Sequence, residues 1–323
     1  FLASICGGPA MHSHRLNRRS FTAGAAAVAA GAVAGKAAAA QMPALKLNYI
    51  VSSAMYGTMP LAEILPEVPQ TGATHLDVWR KPHGDQREQI DELGADRVAD
   101  MLAEYKVQLG VITSYPFGPF RLADEFTMAR RLGAKVIVCG CRGPKEPVGA
   151  EAKAGVKAFL EEMKPHAEAA AESGVTIALE NHDQQLLYTP DSLRYFAELN
   201  RSPNLGIALA PHHLHKFVDE IPALIEDLGA AQLPFLYAQE HGRGIREKLP
   251  KELEMMQLPG YGGGLDYRPI LAALRKIHFD GFFEIFMHPT PRGIPILPTA
   301  GEVTAAINKS REYIEDCLRE INA

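Results

Sequence analysis

The sequence predicts an α/β protein of the (β/α)8 TIM-barrel class. Three observations lead there. Strand-like and helix-like segments alternate eight times between residue 45 and the end of the chain. The strand segments are short and continuously apolar, as strands covered on both faces must be. The turn after the first of them, Ser52 to Pro60, contains a single glycine, Gly57. A doubly wound nucleotide-binding sheet typically carries a Gly-rich phosphate loop at that point.

The elements follow in order. Leu45–Val51 is a short β-prone run, and Leu61–Gln70 has helical spacing closed by Gly72. Thr74–Trp79 is the second strand. Asp91–Tyr105 is an amphipathic helix leading into the strand Val107–Thr113. Leu122–Leu132 is helical, with Gly133 as its C-terminal cap. Lys135–Cys139 is a strand, Ala150–Ser173 a long helix closed by Gly174, and Val175–Glu180 the fifth strand. Pro190–Leu199 is a helix with Thr189 at the N-cap and proline in the first turn. Leu205–Leu209 and Pro234–Gln239 are strands flanking the helix Val218–Leu228. Glu240–Asp266, rich in Gly, Pro and charge, reads as an extended loop over the barrel mouth. Tyr267–Ile277 is a helix, Gly281–Phe286 the eighth strand, and Thr299–Ile321 the closing helix.

Length and charge agree with one barrel. The chain has 323 residues, 47% hydrophobic and 22% charged, a soluble globular composition. Its net charge is -5, but residues 1–40 hold Arg15, Arg18, Arg19 and Lys36 and no acid. The remaining 283 residues therefore stand at -9. Such an acidic body argues against a nucleic-acid partner, which needs a cationic face.

From Met11 a basic stretch ends in Arg18-Arg19. An Ala/Gly-rich run follows, with the small residues Ala38-Ala39-Ala40 before Gln41. That order predicts a twin-arginine export signal over residues 1–40, an extracytoplasmic or periplasmic location, and a barrel over 41–323. The run is too weakly apolar for a good membrane span, and no stable insertion is expected once the leader is removed. Cys139, Cys141 and Cys317 make no disulfide framework, and the first two read as buried strand thiols.

Catalytic groups of such barrels project from the C-terminal ends of the strands. Strand five ends in Leu179-Glu180-Asn181-His182-Asp183, and strand six runs into Pro211-His212-His213-Leu214-His215. Strand seven leads to Gln239-Glu240-His241-Gly242-Arg243, and strand eight carries Glu284 followed by His288 and Arg292. Six of the ten histidines after residue 40 fall in these four segments. Glu180 and Glu284 sit in otherwise apolar strands, where an unpaired carboxylate is expensive. A divalent cation at the mouth would account for acids and imidazoles together.

At this level the sequence resembles a known family. Thr176–Asp183 (TIALENHD), the string Ala210-Pro211-His212-His213-Leu214 and the Gly-rich run from Pro259 to Phe286 carry the resemblance. Gly264-Leu265-Asp266-Tyr267 and Asp280-Gly281-Phe282 are its most specific parts. They are similar to the xylose isomerase-like superfamily of sugar and sugar phosphate isomerases and epimerases, which also contains the AP endonucleases. The resemblance covers roughly residues 45–320. It implies one Mn, Mg, Co or Zn ion held by Glu, Asp, His and Glu at strand ends. Glu180 matches the first acid, His213 the histidine and Glu284 the last acid. Ala210 stands where the family has Asp, and His212 is a reserve ligand. On strand seven the usual His is displaced. Tyr237, Gln239 and His241 share one face by the two-residue period, so Gln239, with His241 in reserve, fills the gap. Arg243 resembles the family's substrate-contacting arginine, and His182, His288 and Arg292 are further substrate-binding candidates.

The implied chemistry is proton abstraction next to the carbonyl of an unphosphorylated sugar or keto-sugar, through an enediolate. Glu180 and Glu284 are then both ligands and acid/base groups. The same enolate can expel a β-substituent, which would make a lyase or dehydratase of a 3-keto-glycoside. A non-catalytic sugar-binding barrel is the reading from a different class, and the missing Asp at position 210 counts against a repair nuclease.

Overall fold

The computed structural model describes residues 43–322. The leader expected over residues 1–40 lies outside them. Eight parallel strands close into one barrel in chain order: β1 (Asn48–Ser52), β2 (His75–Trp79), β3 (Gln108–Thr113), β4 (Val136–Cys139), β5 (Thr176–Glu180), β6 (Leu205–Leu209), β7 (Phe235–Ala238) and β8 (Phe282–Ile285). β8 pairs with β1 and closes the ring. The helices between them are α1 (Leu61–Ile64), α2 (Gln86–Leu93), α3 (Ala95–Glu104), α4 (Ala123–Leu132), α5 (Gly149–Glu172), α6 (Pro190–Leu199), α7 (Ile221–Leu228), α8 (Lys251–Met255), α9 (Tyr267–Lys276) and α10 (Ala300–Asn322). The (β/α)8 expectation is met among the described residues.

The strands form because their residues are β-branched or apolar and are covered on both sides. All five residues of β6 are buried, as are all four of β4, β7 and β8. Helix ends obey the local chemistry read from the sequence. The Thr189 hydroxyl accepts from the Ser192 amide at the start of α6, and Gly133 ends α4 at φ +88°. Asp266 caps α9 by accepting from the Arg268 amide.

Three elements differ from the sequence expectation, each for a backbone reason. The helix expected over Leu61–Gln70 stops at Ile64, because Pro66 and Pro69 disfavour helical continuation. The helix expected over Asp91–Tyr105 becomes α2 and α3, divided at Gly94 (φ +81°), a conformation that side chains resist. The long loop after β7 contains the short helix α8. That loop is pinned by Glu240, which accepts from the amides of Gly260 (2.7 Å) and Gly264 (2.6 Å). A Cβ on Gly263 would come within 2.2 Å of the Met256 carbonyl oxygen, so the Gly-rich run is a steric requirement.

A buried ion-pair network holds the segment after β2. Glu125 of α4 is fully buried and accepts from Arg80 Nη2 (2.6 Å) and Arg87 Nε (2.7 Å). This ties α2 and α4 to the loop that follows Trp79 and carries His83 at the barrel mouth. Among the described residues no helix is long and apolar enough to cross a membrane.

Candidate functional site

The C-terminal end of β5 delivers Glu180, and the turn that follows delivers His182 and Asp183. The segment after β6 forms a short helical turn, Pro211–Leu214, and presents His212 and His213 to the same place. Asn181 fastens the two segments together. Its side-chain nitrogen donates to the Ala210 carbonyl (3.1 Å), and its oxygen accepts from the Ala210 amide (2.7 Å). Position 210 therefore contributes its backbone to the joint and no ligand atom.

Glu180, His182 and His213 offer one ligand atom each, all within 4.8 Å of one another. His213 Nε2 lies 3.8 Å from Glu180 Oε1, and the rings of His182 and His213 are 3.9 Å apart at their centroids. Asp183 stands behind both rings. It lies 2.9 Å from His182 Nδ1 and 3.4 Å from His213 Nδ1, and Arg246 Nη2 donates to both its oxygens at 2.9 and 2.7 Å. His213, His182 and Arg246 hold the Asp183 carboxyl well below the usual carboxylate range, the bond from His213 first. Burial lowers His213 in turn. One arrangement satisfies both shifts. His213 is a neutral imidazole whose Nδ1–H donates to Asp183, leaving the Nε2 lone pair facing Glu180. A carboxylate that fixes the tautomer of a ligating histidine is the usual support of a metal site.

The other acids are placed differently. Glu284 of β8 is fully buried in the barrel interior, and neither of its oxygens has a hydrogen-bond partner. Its neighbour is Asp77 of β2, which accepts from the Thr113 hydroxyl at 2.7 Å. Burial raises Glu284 well above the carboxylate range, and the adjacent Asp77 adds to it. Burial also pushes Asp77 up, to about 7, against the pull of Thr113. Two desolvated carboxyls in contact cannot both ionise near neutrality. Tyr237 senses the charges of both Glu180 and Glu284. Its hydroxyl lies 3.1 Å from that of Tyr115. Trp79 stacks on Phe286 (4.9 Å between centroids, 13° between planes), and His288 meets Phe286 edge-on at 4.5 Å.

The structure therefore brings Glu180, His182 and His213 together, with His182 moved from the substrate-binding group into the cluster. Glu284 is not part of that cluster, and the Gln239 Oε1 is buried without a hydrogen-bond partner. The Gln239 side-chain nitrogen donates to the His241 carbonyl (3.0 Å) and to Gln257 Oε1 (2.8 Å). The alternation assumed for Tyr237, Gln239 and His241 lapses because β7 ends at Ala238. His241 instead accepts from the Arg243 amide (3.0 Å) and lines the mouth. Both nitrogens of His212 are buried without a partner, as is Nδ1 of His288. A cleft of about 780 Å3 opens here, lined by His212, His213, His241, Arg243 and Arg246 among others. Sequence reasoning passed over Asp77, Tyr115 and the orienting role of Asp183. Asp77 carried the same signal as Glu180 and Glu284, an acid inside an apolar strand.

The profile of the xylose isomerase-like TIM-barrel family matches residues 66–316. The chain belongs to that family. No curated protein matches it in sequence. Solved structures share the family's fold. A zinc-bound IolI protein aligns with TM-score 0.64 at 18% identity, covering 85% of this chain and 99% of its own. An L-ribulose 3-epimerase aligns with TM-score 0.62 at 16% identity, covering 85% and 96%. A D-allulose 3-epimerase from Methylomonas sp., in complex with D-allulose, aligns with TM-score 0.61 at 17% identity, covering 85% and 98%.

The donor chemistry of this xylose isomerase-like barrel fits a cation in one place. Among the described residues a carboxylate and two imidazoles, with their second nitrogens oriented by Asp183, suit a divalent cation. The four-strand set implied by the resemblance is not reassembled, since Ala210 has no donor and Glu284 lies with Asp77.

Proposed function

We propose that this chain is a sugar isomerase or epimerase acting by proton abstraction next to a carbonyl, on an unphosphorylated sugar or keto-sugar, with one divalent metal ion. The observation that carries this reading is the cluster of Glu180 with two histidines that Asp183 orients, at the rim of the cleft. The sugar epimerases among the fold's neighbours support it at the level of the family.

Glu180, His182 and His213 would hold the ion, which when bound polarises the substrate's carbonyl and hydroxyl oxygens. Glu180 takes the proton from the carbon beside the carbonyl as the C–H electron pair moves toward the carbonyl oxygen. Burial and the Glu180 charge hold the Tyr115 phenol protonated, and burial does the same for Tyr237. A phenol returns a proton to carbon, and the proton held on Glu180 passes to the Tyr115 oxygen beside it, which restores both groups. Delivery to the neighbouring carbon gives an isomer, and delivery to the opposite face gives an epimer. The stacked Trp79 and Phe286 form an apolar wall that keeps this side of the site dry. Export through a twin-arginine leader belongs to the same proposal and rests on Arg18-Arg19 and the small residues before Gln41.

The test is solvent exchange. The protein is loaded with Mn, Co, Mg or Zn and incubated with aldoses and ketoses in heavy water. NMR should show deuterium entering at the carbon next to the carbonyl, and Glu180→Gln should stop it. Absence of exchange into every sugar with every metal would overturn the reading.

A further inference from the structure

The mouth of the barrel holds a cation that has no ion pair among the described residues. Arg292, in the segment after β8, is half-buried. Its one direct hydrogen bond runs from Nη1 to the carbonyl of Pro289 (3.0 Å), and it has no ion pair among the described residues. Desolvation depresses its guanidinium to about 10. That is a poor resting place for a charge, because a half-desolvated cation without a counter-ion is costly.

Its surroundings do not compensate. Burial, and with it the Arg292 charge, disfavours protonation of His83 and His288. Glu180 and Glu254 are near enough to favour the Arg292 charge, and Glu254 is engaged by Lys251 and the Thr290 amide. Glu180, however, is shared with His182 and His213. Asp183, the other acid at the rim, is engaged by Arg246 and the two histidines. Two rings around the guanidinium also have idle nitrogens. His212 is 1% exposed with both nitrogens unpartnered, and His288 is 8% exposed with Nδ1 unpartnered. Arg243 lines the adjoining cleft, and its side chain makes no hydrogen bond or ion pair among the described residues.

We propose that Arg292, with the idle nitrogens of His212 and His288, is the binding site for a carboxylate on the substrate. The sugar is thus a sugar acid, a uronate or aldonate, and not a neutral sugar. A single planar fork matches the two coplanar oxygens of a carboxylate. His212 and His288 each have an unpartnered ring nitrogen to offer, and the site exchanges an unpaired cation for a paired one. The proposal rests on the sugar-isomerase reading for the rest of the substrate, and it places the anionic end beside Glu180 and the cluster.

The test is calorimetric titration of the full chain with glucuronate, galacturonate and gluconate, set against glucose, galactose and the matching sugar phosphates. The uronates or gluconate should bind at least about tenfold more tightly than the neutral sugars. Arg292→Ala should remove that preference. Arg292→Lys, which keeps the charge but not the fork, should restore part of it. Circular dichroism checks the fold of each variant, and Arg292→Gln replaces Arg292→Ala if the latter unfolds. Equal binding of acid and neutral sugars, an Arg292→Ala protein with its preference intact, or a preference for sugar phosphates alone would overturn the proposal. The two readings fail separately. Deuterium exchange into ketoses by a parent protein that binds uronates no more tightly than neutral sugars defeats the carboxylate site alone. Uronate binding that depends on Arg292, with no exchange into any sugar, defeats the isomerase reading alone.

Discussion

Asp183 lies 2.9 Å from Nδ1 of His182, and the same carboxylate oxygen lies 3.4 Å from Nδ1 of His213. One acid thus fixes the ring orientation of both imidazoles that face Glu180. Asp183 makes no claim on the substrate. Its effect passes through the histidines, and Arg246 keeps it ionised from the other side.

Asp183→Asn should therefore weaken divalent-metal binding by about ten- to a hundredfold, the range typical for loss of a second-layer carboxylate. His182→Ala and His213→Ala should abolish stoichiometric binding. Metal content after dialysis against limiting Zn or Mn measures all three. Metal at a hundred times its Kd should add about 2.7 kcal/mol of stability to the parent, read as a rise in melting temperature that a chelator reverses. An Asp183→Asn protein with full metal affinity would remove Asp183 from the site.

The two family-matched acids should not be equivalent. Glu180 is at the rim with the histidines, whereas Glu284 is buried against Asp77 and held protonated. Glu180→Gln should reduce turnover and deuterium exchange to background. Glu284→Gln replaces one neutral group by another of nearly equal shape, and should leave a measurable fraction of both. Equal loss in the two variants would show that Glu284 reacts with the substrate after all.

How far the sequence reached can be judged from these residues. The barrel was legible because each strand is a short apolar run and most intervening segments have helical spacing, with end signals such as Thr189 and Gly133. Strand ends were therefore legible as the place of the site, and so was the concentration of histidines there. Which of them converge was not. Convergence depends on turns after the strands, where the two-residue alternation no longer applies. The Asn181–Ala210 joint brings His182 toward His213, and the end of β7 at Ala238 sends Gln239 toward Gln257. The Asp77–Glu284 pair escaped because its partners are more than 200 residues apart and meet only when β8 closes against β1, whose other edge pairs with β2.

Stability should be most sensitive at Glu125. This side chain is fully buried between Arg80 and Arg87, and Arg87 is itself only 2% exposed. Glu125→Ala leaves two guanidinium groups short of their counter-charge in a dry environment. Breaking a buried pair in this way costs about 3–5 kcal/mol. Urea unfolding should show a lower midpoint with an unchanged slope. Glu125→Gln, which keeps the hydrogen bonds but not the charge, should lose less. A Glu125→Ala midpoint within error of the parent would mean that the network contributes nothing net.

The Asp77–Glu284 pair makes a signed prediction about pH. Both groups have folded values above their unfolded ones, near 4. Below pH ~4 both states are protonated, and the contribution of the pair to stability is fully present. As pH rises, the unfolded chain ionises while the barrel keeps its proton, and stability falls by up to about 1.4 kcal/mol per pH unit for each group held protonated. The fall continues through the folded value, about 7 for Asp77. Other groups act in the opposite direction. Asp183, held low, loses its contribution as pH falls below the usual carboxylate range, and the neutral His212 and His288 lose theirs as pH falls below ~6.5. Those groups are common to the parent and to Glu284→Gln, so they cancel in the difference between the two. The variant should gain on the parent steadily from pH 4 to pH 7, measured by urea midpoints at each pH. A difference that stays flat across that window would show that the pair carries no extra proton in the folded barrel.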